Sequence, residues 1–546
     1  MKRHLAPLAL FLAVAPAAAQ APILAHVRVD ASRVVAPLPP IWRFFGADEP
    51  NYATEPDGAR LLLQLGRLRP GQVYFRAHNL MTSGDGKADF KWGSTNLYTE
   101  KDGRPIFDWT IVDRIIDAWR ARGIHPYLEI GFMPAAISAA PKGTPYRRVW
   151  RAGAANDGAS GWSYPPSDHS KWAEIVYQWT RHNVARYGRA EVERWYFEVW
   201  NEPNLDFYWR GNPEQFYRLH DMAIDAVRRA LPTARVGGPD VAGSGGAFMD
   251  GFLRHITVGT NEATGGVGTP TDFLSFHAKG QPILVDGHVR MGIANQLRTV
   301  DEAFAKIAAI PALADKPVVI GENDPEGCAA CPGPANAYRN GTLYSSYTAA
   351  SYARLWELAR VRHIRLEGAL SWAFTFVGQP WFAGYRQLAT RDVDLAVLNL
   401  FRLFARLGPE QLSATSDAQI RLDAILKDGV RGAPDVGVLA TRRKDGALAV
   451  LLWNYHDDDL PGPSARIRLE IDHCRSRSGR LWRIDKTHAN AFGAWKAMGS
   501  PRAPTAAQVA ALKEASRLKP ETIRFADGKI ALAIPRQGVV LIELAR

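Results

Sequence analysis

The chain has 546 residues, of which 47% are hydrophobic and 22% are charged, and it contains 17 Trp. This length is too great for one compact core, and the composition excludes a disordered or low-complexity protein. The net charge of +12 is dispersed along the chain and no nucleic-acid motif accompanies it, so we expect no nucleic-acid partner.

The first residues predict a secretory signal. A basic start precedes an apolar stretch over residues 5–15, and Ala17 and Ala19 follow in the A-x-A arrangement of cleavage sites. The alternative is a membrane anchor, but a membrane span needs about 20 apolar residues and this stretch is shorter. We therefore expect residues 1–19 to be removed and the protein to be exported, to the periplasm or the cell exterior, without membrane insertion.

Eight apolar, β-rich runs alternate with helical patterns between about residues 40 and 400. The runs cover residues 42–47, 72–78, 126–132, 194–202, 234–240, 272–278, 317–324 and 368–376. Apolar residues recur at helical spacing between them, as in residues 111–123, 172–188, 213–232 and 300–310. A strand followed by a helix, repeated eight times, predicts a (β/α)8 TIM barrel with long loops, an α/β fold.

After about residue 410 the pattern changes to short alternating strands joined by Gly, Asp and Pro turns, which predicts an accessory β-sandwich. We place the catalytic barrel at residues 41–405 and the sandwich at 406–546. The strand-like segment over residues 20–40 is a candidate to pair with the sandwich rather than with the barrel.

The three cysteines are Cys328 and Cys331, in a C-x-x-C, and the distant Cys474. As a metal site the C-x-x-C lacks a second pair, and as a redox motif it lacks a thioredoxin-like setting. Two interpretations stay open, a local disulfide that braces a loop or a pair of free thiols.

Acidic residues at the ends of the predicted strands are the candidates for chemistry, because TIM-barrel enzymes use the loops that follow their strands. Glu129 is followed by further strand-like residues and is interpreted as a core or supporting group. Glu202 and Glu322 end the fourth and seventh strands, which lie on opposite sides of the barrel mouth. Two such acids can flank a sugar bond, one protonating the departing oxygen while the other attacks. The alternative is two unrelated surface salt bridges.

These residues resemble a known family. The segment "WNEPN" after the fourth strand and the glutamate ending the seventh are similar to clan A of the retaining glycoside hydrolases, and more narrowly to glycoside hydrolase family 39, which contains β-xylosidases and α-L-iduronidase. Supporting segments extend over most of the chain, namely "FRAHNLMT", "LEIGFMP", "FLRHITVGTNEATGGVGTPTDFLSFHAKG", "GENDPEG" and "PTAAQVAALKEASRL".

The resemblance implies Glu202 as the general acid/base and Glu322 as the nucleophile. It further implies that Asn201 binds the sugar 2-hydroxyl and that His78 and His277 contact the sugar at the reacting subsite. Trp372 is a candidate for the apolar wall of that subsite. The other candidates for the wall are the nearby Phe132, Trp381 and Tyr385.

One position departs from the xylosidase pattern. Xylosidases of the family carry Tyr two positions after the sixth-strand histidine, whereas this chain has Lys279, as in the iduronidase branch. Lys279 can bind an acidic sugar, or it can pair with a protein carboxylate such as Glu322 or Asp324. The iduronidase branch also uses an eighth-loop arginine, for which Arg386 and Arg391 are the candidates.

The sequence thus predicts a retaining exo-glycosidase, first of all a β-D-xylosidase that releases xylose from xylo-oligosaccharides by double displacement. A uronic-acid-releasing enzyme of the iduronidase type is the alternative, and a non-catalytic carbohydrate-binding barrel is the second alternative. The expected partner is an oligosaccharide or aryl glycoside. No cofactor or metal is expected, because two carboxylates suffice for the reaction.

Overall fold

A computed structural model describes residues 21–147, 150, 160–372, 374–474 and 476–545. The expected signal segment, residues 1–19, lies outside the described residues. None of the helices in the described part of the chain combines the length and apolar character that crossing a bilayer requires.

The described residues form 23 strands and 12 α-helices, with short 3-10 turns between them. The strands are β1 (Ile23–Pro37), β2 (Phe44–Ala47), β3 (Val73–Ala77), β4 (Tyr98–Lys101), β5 (Arg104–Phe107), β6 (Ile124–Ile130), β7 (Tyr196–Val199), β8 (Arg235–Val241), β9 (Phe273–Lys279), β10 (Ile283–Val285), β11 (His288–Arg290), β12 (Val318–Asp324), β13 (Leu366–Ala369), β14 (Ala389–Thr390), β15 (Val393–Asp394), β16 (Glu410–Ser416), β17 (Asp435–Arg442), β18 (Leu448–Tyr455), β19 (Ala465–Asp472), β20 (Ser478–Ile484), β21 (Pro520–Arg524), β22 (Lys529–Ile534) and β23 (Gly538–Leu544). The helices are α1 (Pro56–Leu68), α2 (Thr110–Arg120), α3 (His169–Tyr187), α4 (Arg189–Val192), α5 (Pro213–Ala230), α6 (Gly246–Val258), α7 (Ile293–Ala308), α8 (Thr342–Val361), α9 (Ala396–Phe404), α10 (Leu422–Asp428), α11 (Ala491–Ala497) and α12 (Ala506–Ala515).

Eight parallel strands form the barrel, in the order β2, β3, β6, β7, β8, β9, β12, β13. The two end strands meet through the residues around Ser371, whose backbone N–H donates to the Phe44 carbonyl at 3.0 Å and whose carbonyl accepts from the Gly46 N–H at 3.2 Å. The predicted TIM barrel is therefore confirmed. The last run is the least accurate prediction, because β13 ends at Ala369 and the backbone that carries Trp372 is an irregular segment beyond it.

Helices follow the strands where apolar spacing and caps specify them. In α5 a capping box joins Asn212 and Gln215, Pro213 starts the helix, and the buried side chains Phe216, Leu219, Ala223, Ile224 and Val227 recur along one face. This face packs against the barrel and α3, so the helix fixes the loop that precedes it. That loop carries the "NEPN" segment.

The accessory domain is one nine-stranded sheet, in the order β21, β20, β23, β18, β17, β16, β1, β19, β22. Strand β1 pairs antiparallel with β16 and parallel with β19. Alternate side chains from both halves of the sheet, such as Val27, Val450 and Ile467, form one buried cluster, so the sheet folds over onto itself. The intervening side chains of β18, Leu451 and Trp453, belong to the core of the barrel. The two parts are thus joined by a continuous apolar interface.

Candidate active site

Two glutamate side chains lie at the mouth of the barrel beside the same nitrogen of one imidazole. Glu322 is in β12, and Glu202 lies three residues after β7 ends at Val199. The Nδ1 atom of His277 in β9 lies 2.8 Å from Glu202 Oε1 and 3.9 Å from Glu322 Oε2. The two carboxylate oxygens therefore cannot be farther apart than those two distances together. Glu202 is the more open of the two, with 16% of its side chain exposed against 7% for Glu322.

His277 is held as a cation between the acids. Its Nε2 atom lies 2.7 Å from Asp240 Oδ2, and the ring is fully buried. Burial favours the neutral ring, but the carboxylates of Asp240 and Glu322 outweigh it and raise the pKa of His277 to about 10. At neutral pH both ring nitrogens therefore donate, one to Asp240 and the other to Glu202.

Lys279 lies two residues after His277, at the end of β9, and its ammonium pairs with protein carboxylates. Its Nζ atom lies 2.5 Å from Glu322 Oε2 and 2.7 Å from Asp324 Oδ2. Of the two roles considered for this lysine, the structure shows the pairing with protein acids. Burial raises the pKa of Glu322, but Lys279 and His277 outweigh burial and hold that pKa well below its usual range. Glu322 is therefore ionised throughout the neutral range.

Arg76, in β3, is the central cation beneath the pocket, and its side chain is fully buried. Its guanidinium contacts four acids and one amide, namely Glu198 Oε2 at 2.6 Å, Glu129 Oε2 at 2.8 Å, Asp240 Oδ2 at 2.5 Å, Glu322 Oε1 at 3.8 Å and Asn201 Oδ1 at 3.0 Å. Burial lowers the pKa of Arg76, but these acids raise it well above its ordinary value. One residue thus links strands β3, β6, β7, β8 and β12 electrostatically.

His78 carries the opposite protonation state from His277. Its Nδ1 atom lies 2.6 Å from Glu129 Oε2, and its Nε2 atom lies 3.7 Å from Glu322 Oε1. Burial and the neighbouring Arg76 lower the pKa of His78 well below its ordinary value, so the ring is neutral. Glu129 is fully buried below the ring, as a supporting group.

Asn201 and Glu202 lie on a constrained turn. Trp200 and Glu202 have φ angles of 73° and 43°, a left-handed conformation that costs a non-glycine residue about 1–3 kcal/mol. The turn is held because the Glu202 N–H donates to the Asp240 carbonyl at 2.9 Å and the Trp200 indole N–H donates to the Tyr208 carbonyl at 3.0 Å. Asn201 is fully buried, and its Nδ2 atom has no partner among the described residues.

Trp372 forms one wall of the pocket. Its ring centroid lies 4.3 Å from that of His78, and its indole N–H donates to Asp48 Oδ1 at 3.1 Å. Phe132 and Tyr208 lie on the other side of His78, at centroid distances of 5.7 and 6.1 Å. Two of the four aromatic candidates, Trp372 and Phe132, therefore contact the site.

The other two candidates for the wall pack elsewhere. Tyr385 lies against Phe90 and Phe376, at 5.5 and 4.9 Å between ring centroids. Trp381 lies under the guanidinium of Arg391 at 5.1 Å. Both rings therefore contribute to the packing of the eighth loop.

The two arginines considered in the eighth loop differ in environment. Arg386 is fully buried, donates from Nε to the Trp372 carbonyl at 2.8 Å, and pairs with Glu326 and, at 3.4 Å, with Asp324. Arg391 is exposed. The structure thus brings Arg386 to the wall of the pocket and leaves Arg391 at the surface.

Of the two alternatives for the C-x-x-C, the structure contains the disulfide Cys328–Cys331. Arg339 donates to the Cys331 carbonyl at 3.0 Å and pairs with Glu326 at 2.7 Å. The bridged loop is therefore tied to the same glutamate that binds Arg386. Cys474 is a free thiol.

All seven side chains selected from the sequence belong to one connected cluster: Glu202, Glu322, His78, Asn201, His277, Lys279 and Trp372. Sequence reasoning missed Arg76, Asp240 and Asp48. Asp240 and Asp48 stand at the ends of the fifth and first predicted strands, so the rule that selected the two glutamates would also have found them. Arg76 precedes His78 by two residues and hence points to the same side of the strand.

This arrangement defines a class of protein. The two acids lie beside one ring nitrogen, with these oxygens no farther apart than the sum of 2.8 and 3.9 Å, which is compatible with the roughly 5–5.5 Å between the carboxyl groups of retaining glycosidases. A TIM barrel with such a pair at the ends of its fourth and seventh strands is the scaffold of a glycoside hydrolase. Among the described residues, no group of His, Cys, Asp and Glu side chains has the arrangement of metal ligands.

Comparison with known proteins gives the family. The model of glycosyl hydrolases family 39 matches residues 25–530. The chain is 27% identical to a β-xylosidase of Geobacillus stearothermophilus, covering 88% of each chain. It is 26% identical to human α-L-iduronidase, covering 94% of this chain and 76% of the relative. The solved structure of a monomeric β-xylosidase from Caulobacter crescentus CB15 shares the fold, with a TM-score of 0.73, 21% identity and coverage of 95% of this chain and 99% of that one. The protein belongs to glycosyl hydrolases family 39 and is a glycoside hydrolase.

Proposed function

We propose that the protein is an exo-acting, retaining β-D-xylosidase that releases xylose from the ends of xylo-oligosaccharides. The observation that carries this proposal is the pair Glu202 and Glu322, which lie 2.8 and 3.9 Å from the same nitrogen of His277. The β-xylosidases among the relatives support the sugar, and they match most of both chains.

In the first step Glu322 attacks the anomeric carbon while Glu202 donates its proton to the departing oxygen. Glu322 suits the nucleophile because it is buried and because Lys279 and His277 keep its carboxylate ionised. Glu202 suits the acid because it is the more open carboxyl and can exchange its proton with the leaving group and with water. The product of this step is a xylosyl ester on Glu322.

In the second step Glu202 removes a proton from water, which attacks the same carbon and frees Glu322. The unpartnered Nδ2 of Asn201 is a donor available to the 2-hydroxyl beside the reacting carbon. The cationic His277 holds Glu202 through Nδ1 and is itself held by Asp240, so the acid/base keeps its orientation through both steps.

A neutral sugar is favoured over a uronic acid because Lys279 and Arg386, the two cations considered for a sugar carboxylate from the sequence, are occupied by other groups of the protein. Lys279 is bound by Glu322 and Asp324. Arg386 is bound by Glu326 and by the Trp372 carbonyl. A uronate would have to displace a protein carboxylate from one of them, at the cost of leaving a buried acid unpaired.

The test is a panel of 4-nitrophenyl glycosides that contains the β-D-xyloside, the α-L-arabinoside, the β-D-glucoside, the β-D-glucuronide and the α-L-iduronide. We expect the highest kcat/KM on the xyloside. A higher kcat/KM on either uronide would show that the enzyme prefers a uronic acid to xylose. Hydrolysis of none of the glycosides would count against the proposed reaction.

The roles of the acids are tested with Glu202→Ala and the matched variant Glu214→Gln, which changes an exposed glutamate of α5. Glu202→Ala should lose activity on xylo-oligosaccharides and regain turnover of an activated aryl xyloside when azide is added, with formation of xylosyl azide. Glu214→Gln should behave as the wild type. Full activity of Glu202→Ala on xylo-oligosaccharides would refute the assignment.

We also propose that the protein is exported, which the basic and apolar start of the sequence supports. A disulfide between Cys328 and Cys331 is compatible with an oxidising compartment. Mass spectrometry of the protein from periplasm and culture medium should find Gln20 at the amino terminus. An intact Met1 in a cytoplasmic fraction alone would contradict export.

A further inference from the structure

A second buried lysine, Lys91, lies beside the pocket, and among the described residues no carboxylate lies within hydrogen-bond distance of its ammonium. Lys91 follows β3 in the loop toward β4, and only 8% of its side chain is exposed. Its ammonium lies 4.5 Å from the ring centre of Trp92 and 4.2 Å from that of Trp150, within the range of cation–π attraction. The nearest carboxylate oxygen among the described residues is Asp48 Oδ2 at 3.8 Å, beyond hydrogen-bond distance.

Asp48, one residue past β2, is partnered on one side only. Its Oδ1 accepts from the Trp372 indole N–H at 3.1 Å, while its Oδ2 faces Lys91 and has no hydrogen-bond donor among the described residues. Buried polar groups in proteins nearly always have hydrogen-bond partners. The ammonium of Lys91 and Oδ2 of Asp48 thus lie side by side, each without a hydrogen-bond partner among the described residues, in residues that are each 7% exposed.

The position of this pair relative to the nucleophile is fixed by His78. The Nε2 atom of His78 lies 3.7 Å from Glu322 Oε1 and 3.7 Å from Asp48 Oδ1. Trp372 spans the same gap, since its ring lies against His78 and its N–H binds Asp48. Glu322 Oε1 and Asp48 Oδ1 therefore lie beside the same imidazole nitrogen, no farther apart than those two distances together, so Asp48 borders the pocket that holds the nucleophile.

We propose that Asp48 and Lys91 form the closed end of the sugar pocket and bind the hydroxyls on carbons 3 and 4 of the terminal sugar. Lys91 donates to a hydroxyl oxygen, and Asp48 Oδ2 accepts a hydroxyl hydrogen. This inference rests on the proposed function, because the sugar is the one held by Glu202 and Glu322.

Two consequences follow for specificity. A sugar whose 4-oxygen is already glycosylated has no hydrogen there to give to Asp48, so the pair selects the unsubstituted end of a chain. A sugar carboxylate at this end would meet Lys91 but also Asp48, and the two like charges would repel. The pair therefore favours a neutral terminal sugar with free hydroxyls.

The experiment measures kcat/KM of Lys91→Met and Asp48→Asn on 4-nitrophenyl β-D-xyloside and on its 3-deoxy and 4-deoxy analogues. Both variants should lose roughly 10- to 150-fold on the parent xyloside, the worth of a hydrogen bond to a charged group. On the deoxy analogue that lacks the hydroxyl bound by the substituted residue, each variant should have a kcat/KM within a few fold of the wild-type value. Asp48→Asn keeps the size of the side chain and hence the fold.

The control is Lys87→Met, in the same loop, where 84% of the side chain is exposed and the nearest acid is Asp85 at 3.6 Å. It should leave all three substrates unaffected. Equal losses by Lys91→Met on the parent and on both deoxy analogues would overturn the proposal, as would a higher kcat/KM of Asp48→Asn on the parent. If the wild type cleaves no xyloside, the proposed function fails instead, and the panel of glycosides reports that failure separately.

Discussion

The buried cations at the two ends of the pocket differ in how closely protein carboxylates pair with them. At the catalytic end His277 and Lys279 each contact two carboxylates within 2.8 Å. At the remote end the described neighbours of the Lys91 ammonium are one carboxylate, at 3.8 Å, and two aromatic rings. The paired charges fix protonation and orientation before the substrate arrives, which is what electrostatic preorganisation requires. At the remote end we infer that the hydroxyls of the substrate supply the hydrogen bonds of Lys91 and Asp48.

The largest effect is expected from the nucleophile at the paired end. Glu322→Gln keeps the shape of the side chain but cannot form the glycosyl ester, so kcat on the xyloside should fall by at least about 10^4-fold. The measurement is steady-state hydrolysis, with Glu214→Gln as the reference. A loss below about tenfold would show that another group attacks the sugar.

The second effect concerns stability at the paired end. Arg76→Met leaves Glu198, Glu129 and Asp240 buried without their shared cation, so the free energy of unfolding should fall by about 3–5 kcal/mol. Urea denaturation measures the change.

The matched control for Arg76 is Arg228→Met. Arg228 pairs with Asp272 at 2.7 Å, but 26% of its side chain is exposed, and the loss should stay below about 1 kcal/mol. Similar losses for the two arginines would contradict the picture of a buried, charge-dependent centre.

The third effect is a pH dependence of stability. The folded-state pKa of His277, about 10, lies above its unfolded value of 6.5, so its contribution is complete below pH 6.5 and is lost as the pH rises toward 10. The difference in unfolding free energy between the wild type and His277→Asn should shrink by about 2–4 kcal/mol between pH 6 and pH 10. Denaturation curves at several pH values measure it. A difference independent of pH would refute the cationic state of His277.

The smallest expected effect is a shift of the pH profile, and it is tested by making the same substitution in the two lysines. Lys279→Met removes a cation 2.5 Å from Glu322, so the pKa of Glu322 should rise and the acidic limb of the kcat/KM profile should move up by about 1–3 pH units. Lys91→Met should lower kcat/KM on the xyloside and leave that limb in place. A profile of Lys279→Met that coincides with the wild type would show that Lys279 does not set the ionisation of Glu322.

Local patterns were sufficient to predict the barrel. Each run of apolar residues is followed by a capped or amphipathic helix, and such repetition admits few other topologies. The eighth strand was placed too late because residues 370–376 are apolar for a different reason: Trp372, Phe374 and Phe376 pack from an irregular segment, where burial without strand pairing gives the same composition.

The site could be predicted where position along a strand decides function, and not where several strands must meet. Glu202 and Glu322 were found because they end strands. The role of Arg76 depends on acids from four other strands that converge beneath the pocket, and no local pattern records that convergence. The pairing of Lys279 likewise depends on Glu322 and Asp324 in the neighbouring strand β12. The choice between a sugar carboxylate and a protein carboxylate as its partner therefore stayed open until the distances were known.

The placement of β1 has a consequence for how the protein is made. This strand is synthesised before the whole barrel, yet its sheet neighbours, β16 and β19, follow the barrel in the chain. During synthesis Val27 and Val29 therefore remain uncovered while several hundred residues emerge, and the final pairing closes one of the longest loops in the molecule. A chain cut off after the barrel would keep β1 as a strand with two free edges, which favours association with other chains. The sheet partners of β1 are therefore available only after β16 and β19 have been synthesised.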